Sequence, residues 1–86
     1  MVVKEKIIKF IKTKLLKDES LKDFGDEDSL ITSGIIDSLG IIALVNFIEK
    51  ELSIKVLDED IVVENFQNIN SIVSYIENKL SVNLNK

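Results

Sequence analysis

Apolar residues recur at helical intervals along three stretches of this 86-residue chain, and no proline interrupts any of them. Proline locks φ and lacks an N–H donor, so it is the residue that stops or kinks a helix. Its absence leaves hydrophobic periodicity free to decide the fold. Val3, Ile7, Ile11 and Leu15 recur every fourth residue, with Ile8 and Phe10 beside them. Lys4, Glu5, Lys9 and Lys12 fill the other faces. This pattern predicts an amphipathic helix over 2–16. Over 38–52, Ile41, Leu44, Val45, Ile48 and Leu52 share one helical face. Near the end, Asn68 is a suitable cap for a helix carrying Ile69, Ile72, Val73, Ile76 and Leu80, with 81–86 expected to fray. No strand-like alternation persists and no internal repeat is visible. The expectation is an all-α fold, a small four-helix bundle with a long loop over 17–37 and a short third helix near 63–66.

The loop is acidic, with Gly25 within it, which marks it as exposed; Leu21, Phe24, Leu30, Ile35 and Ile36 would pin it to the core. Hydrophobic residues make up 45% of the chain against a net charge of −4, too apolar a balance for a disordered segment. One domain over 1–86 is expected.

Several functions are disfavoured by what the chain lacks. It has no cysteine and no histidine, hence no disulfide, no thiolate metal site, no usual general base and no Ser-His-Asp triad. Independent catalysis is not expected. The longest apolar run, 41–45, is far shorter than a membrane span, and the first residues do not resemble a signal peptide, so a cytoplasmic location is expected. Residues 1–17 carry six lysines and only Glu5, while the remainder is strongly acidic. A solvated outer face on a packed helix explains the lysines better than a membrane-lying helix does. The overall acidity and the absence of arginine argue against nucleic acid. Asp58, Glu59 and Asp60 lack the glycine and spaced glutamate of a calcium loop, and read as a solvated acidic turn.

The run Gly34-Ile35-Ile36-Asp37-Ser38-Leu39-Gly40 leads into the second helix and includes its first residues. Asp37 or Ser38 would cap that helix. The Ser38 hydroxyl would sit where unpaired N–H groups and the positive end of the helix dipole favour a negative charge, and a phosphate esterified there would meet donors already in place.

This run resembles the Asp-Ser-Leu signature of the acyl carrier protein family. The likeness extends to Asp28-Ser29-Leu30 upstream, and to Ile54-Lys55-Val56, Asp58-Glu59-Asp60-Ile61 and Glu64-Asn65-Phe66 downstream. It ends with Ile69, Ile72, Val73, Tyr75 and Ile76. The resemblance implies a 4′-phosphopantetheine arm on Ser38, supplied from coenzyme A by a phosphopantetheinyl transferase in a magnesium-dependent step. The arm's thiol would hold acyl or aminoacyl groups as thioesters. An activating ligase, an acyltransferase or a synthase would then act on them, the carrier itself being a monomer. Asp37 would orient the site, Leu39 would sit beside the arm, and Gly34 would allow the loop to approach the helix closely.

Opposite the core face of the second helix lie Leu39, Ala43, Asn46 and Lys50, flanked by Ile42 and Phe47. The apolar members are either covered by the rest of the fold or form a docking patch. On the second alternative, Leu39, Ile42, Ala43, Asn46 and Phe47 would meet partner enzymes. Fatty-acid-synthesis members of the family carry a row of acids along this face. Here Gly40, Ala43 and Asn46 stand at those positions, so the pattern looks closer to stand-alone carriers serving dedicated ligases, and apolar contact would outweigh charge in recognition. The rival class is an unmodified helical module that binds a protein through its apolar patch.

Overall fold

Among the described residues, ten of the fifteen that form the buried core are isoleucine. A β-branched side chain loses χ1 freedom in a helix, so the helices of this chain depend on packing more than on intrinsic propensity. The structure is a computed structural model and describes residues 2–16 and 18–84. Its elements are α1 (Val2–Phe10), a π-helical turn (Ile11–Leu15), α2 (Ser38–Leu52), α3 (Val63–Phe66) and α4 (Ile69–Leu84). No strand occurs among the described residues, and none of their helices is long and apolar enough to cross a membrane.

The first helix departs from the uniform α-helix expected over 2–16. From Ile11 it widens into the π turn, closed by the Leu16 N–H donating to the Ile11 carbonyl at 2.8 Å. The cause lies in the spacing of its apolar residues. A stripe that repeats every four residues drifts by about 40° per step on a helix of 3.6 residues per turn. A wider turn winds that drift back. Ile7 and Ile11 are buried, and Leu15 and Leu16 both pack on the core.

The loop is held at several points. A 3₁₀ turn, Glu19–Leu21, interrupts it, with the Asp18 carboxylate accepting from the Ser20 N–H at 3.0 Å. Leu30, Ile35 and Ile36 are buried, and Leu21 and Phe24 pack at the core margin, as the sequence predicted. The Leu30 N–H donates to the Gln67 carbonyl at 2.8 Å and the Asn70 N–H to the Asp26 carbonyl at 3.2 Å. Lys4 pairs with Asp26. The loop is thereby tied to α1 and to the junction of α3 and α4.

The α2 helix covers the residues predicted for it. It buries Ile41, Leu44, Val45 and Ile48 and ends at Ser53, in the left-handed region at φ 55°. The chain then turns back along α2. The Glu49 carboxylate accepts from the Val56 N–H at 2.8 Å, and Ile54 and Val56 point into the core.

Asp58–Asp60 forms a 3₁₀ turn. The three acids do not form a metal-binding cluster, and no group of three or more candidate ligands occurs among the described residues. Asp60 instead accepts from the Tyr75 hydroxyl at 2.7 Å and lies 3.6 Å from the Lys79 ammonium. Burial, then the hydrogen bond to Asp60, pushes the Tyr75 phenol well above its ordinary range, so it remains a donor. This bond joins the turn before α3 to α4, and Phe66 of α3 packs its ring 5.7 Å from that of Tyr75. Asn68 caps α4, its side chain accepting from the Ser71 N–H at 2.8 Å. The helix continues through Leu84, into the segment expected to fray; residues 85 and 86 lie outside the described residues.

Candidate functional site

The start of α2 resolves which residue caps it. Asp37 has extended backbone, φ −114° and ψ −172°, and its carboxylate accepts from the Gly40 N–H at 2.8 Å. The Asp37 carbonyl accepts from the Ile41 N–H at 3.0 Å. Asp37 is therefore the cap and Ser38 the first residue of the helix. Ser38 is exposed. The N–H groups of Ser38 and Leu39 have no carbonyl to reach within the helix.

Two glycines permit this arrangement for different reasons. Gly34 was expected to allow a close approach, but a Cβ placed there would meet nothing within 4 Å. Its contribution is a φ of 81°, which turns the loop toward α2. The close approach belongs to Gly40, where a Cβ would stand 3.1 Å from Ile36 Cβ and 3.5 Å from the capping oxygen of Asp37. Gly34→Ala should cost roughly 1–2 kcal/mol, because a Cβ disfavours that dihedral region, and Gly34→Asn should cost less. Urea denaturation of the two variants checks the order; equal stability of wild type and Gly34→Ala would show that the turn does not need the glycine.

The nearby serines differ from Ser38. Ser29 accepts from the Thr32 N–H through its hydroxyl at 3.2 Å, and the Ser33 hydroxyl donates to the Ser29 carbonyl. Both belong to the turn that ends at Gly34. The Ser38 hydroxyl takes part in no hydrogen bond among the described residues.

Recesses lie on both flanks of the first turn. One, of about 300 Å³, is lined by Ser38 and by Ile31, Ile42, Ile61, Val62, Val63 and other apolar residues. Ile42 is 55% and Val63 63% exposed, so apolar surface continues onto its rim. The other, also about 300 Å³, is lined by Lys14, Leu15, Leu16, Asp37, Leu39 and Gly40. A phosphodiester on Ser38 fits this setting. Two N–H groups without helical partners and the helix dipole favour its charge, and Lys14 adds a cation beside the existing carboxylate of Asp37. An apolar group carried further along an arm would find the first recess within the same turn of helix.

The residues expected to face partners divide into two sets. Leu39 is 76% exposed, and Ile42 and Asn46 are exposed as well. Ala43 is half-buried. Phe47 is drawn inward, its ring stacked on Phe10 with centroids 4.1 Å apart and planes at 15°. Phe47 therefore belongs to the α1–α2 seam and not to an open outward face. Stacking of two aromatic rings outweighs leaving either in water. Sequence reasoning did not pick out Ile31, Val62, Val63 or Lys14. The adjacent valines before Glu64 were the one local signal, since an acidic turn has no need of them.

The chain matches the family model described as "Phosphopantetheine attachment site" over residues 5–76. No curated protein matches it significantly.

Proposed function

The chain belongs to the phosphopantetheine attachment-site family, and from that membership we propose that Ser38 bears the 4′-phosphopantetheine arm and that the domain carries acyl groups on it. Domains of this family are non-catalytic carriers that bear the arm covalently and work with a modifying transferase and with biosynthetic enzymes. The observation that carries the assignment is the exposed Ser38 hydroxyl at the first position of a fifteen-residue helix. That position is adjacent to donors for phosphate and to an apolar recess.

The arm supplies a terminal thiol, which this cysteine-free chain lacks. The protein does the rest by placement. Asp37 holds the first turn of α2 closed through Gly40, so the Ser38 oxygen projects from a rigid support. Leu39 presents apolar surface beside it, and the Ile31–Ile42–Val63 recess offers shelter to an apolar chain. Cargo with an apolar acyl chain fits that recess better than an aminoacyl group, whose ammonium would lose hydration there without a partner.

Incubation with coenzyme A, magnesium and a broad-specificity transferase should add one phosphopantetheinyl group, mapped by peptide mass spectrometry to the segment containing Ser38. Octanoyl loading should then shift the NMR signals of Ile42 and Val63 more than alanyl loading does. Modification at another serine would overturn the assignment. An unchanged mass across several transferases would favour an unmodified docking module, a reading to which exposed Leu39, Ile42 and Val63 lend themselves.

A further inference from the structure

The lysines near the start of the chain are not spread evenly over a solvated face. Lys6, Lys9 and Lys14 line one trough with Phe10, Phe47 and Glu51, of about 300 Å³, along the seam between α1 and α2. The π turn contributes to this grouping, since its extra residue per turn brings Lys14 round toward the side occupied by Lys9. Lys6 is bonded to Glu51 at 2.9 Å. Lys9 and Lys14 are exposed and have no ion pair among the described residues. The trough holds three cations against one acid, on a chain whose net charge is −4. Its floor includes the stacked, half-buried rings of Phe10 and Phe47. It adjoins the recess lined by Asp37 and Leu39, the neighbours of Ser38 in the chain, because Lys14 lines both.

From this charge pattern we infer that the α1–α2 seam is the docking surface for a partner protein whose contact face is acidic with an apolar anchor. Complementary charge steers encounter and excludes wrong partners, and like charge at the contact opposes docking. A basic partner face would meet Lys9 and Lys14 head on. An acidic one would pair with both while an aliphatic or aromatic side chain packs against the Phe10–Phe47 stack. Occupying the seam also brings a partner to Leu39 and hence to Ser38. The inference rests on the carrier assignment only in taking Ser38 as the place a partner must reach.

The test needs no modification of Ser38, so its failure leaves the attachment assignment standing. Two amphipathic helical peptides of identical apolar pattern, one with glutamates and one with lysines on the polar face, are titrated into the isotope-labelled full chain. The acidic peptide is expected to shift the amide signals of Lys9, Phe10, Lys14, Phe47 and Leu39, and the basic peptide to leave them unmoved. Lys9→Glu with Lys14→Glu should weaken acidic-peptide binding by at least about tenfold, and Lys9→Gln with Lys14→Gln by less. Both pairs lie at exposed positions, and circular dichroism verifies that the fold is retained. Stronger binding of the basic peptide, shifts confined to other surfaces, or no shift with either peptide would overturn the inference. Seam shifts caused only by vesicles containing phosphatidylglycerol would overturn it in favour of a membrane surface.

Discussion

Ser38→Ala is expected to abolish phosphopantetheinylation completely while leaving the stability of the domain within about 0.5 kcal/mol of wild type. The two halves of this result have separate causes. Loss of modification follows because no other hydroxyl near the site has the same setting: Ser29 and Ser33 are engaged with each other and with Thr32 in the turn before Gly34. Ser29→Ala and Ser33→Ala should therefore be modified like wild type. Stability is spared because Asp37, not Ser38, caps α2, and alanine is well tolerated at a first helical position. Asp37→Ala should show the reverse balance, losing about 1 kcal/mol with the Ser38 hydroxyl still present. Intact mass and urea midpoints on the same four variants separate the two effects. Residual modification of Ser38→Ala would place the attachment point elsewhere, and a large loss of stability in that variant would contradict the cap seen at Asp37.

Leu44→Ala and Ile48→Ala should each destabilise the domain by about 2–5 kcal/mol. Both side chains are fully buried on the inner face of α2 and belong to the same core cluster as Ile7 and Ile11 of the first helix, the loop residues Leu30 and Ile35, and Ile69 and Ile72 of α4. A domain of this size has a total stability of only about 5–10 kcal/mol, so either change should bring unfolding close to ambient conditions. The cost is a transfer term plus a cavity, and a core rich in β-branched isoleucines has few side chains able to relax into the space. Urea denaturation midpoints measure it. A loss below about 1 kcal/mol for both would mean that α2 presents a different face to the core. Asn46→Ala, on the exposed face, is the control and should be near neutral.

The extent of α2, its inward phase and the position of Ser38 at the head of a helix were all legible before the structure; the sequence placed a short third helix near 63–66 but did not fix its extent, because four residues carry too little periodicity. The legible features depend on interactions within a few residues: apolar spacing along one segment, cap chemistry and the absence of proline. The family resemblance at Asp37-Ser38-Leu39 was legible for the same reason, since it is a contiguous run. The choice between Asp37 and Ser38 as cap was not, because both residue types suit the position and only backbone geometry separates them. The π turn after Phe10 was hidden because a spacing of four residues is compatible with an α-helix until the core on the other side must be filled. Phe47 has the period of an outward residue and is turned inward only by Phe10, which lies far away in sequence. The apolar recess beside Ser38 gathers Ile31 from the loop, Ile42 from α2, and Ile61, Val62 and Val63 from the approach to α3. The basic seam joins Lys6, Lys9 and Lys14 to residues of α2 in the same way. Local sequence determined which segments are helical and where the modifiable hydroxyl stands. Tertiary packing alone decided what surrounds that hydroxyl, because a surface built from separate segments exists only once the core has brought them together.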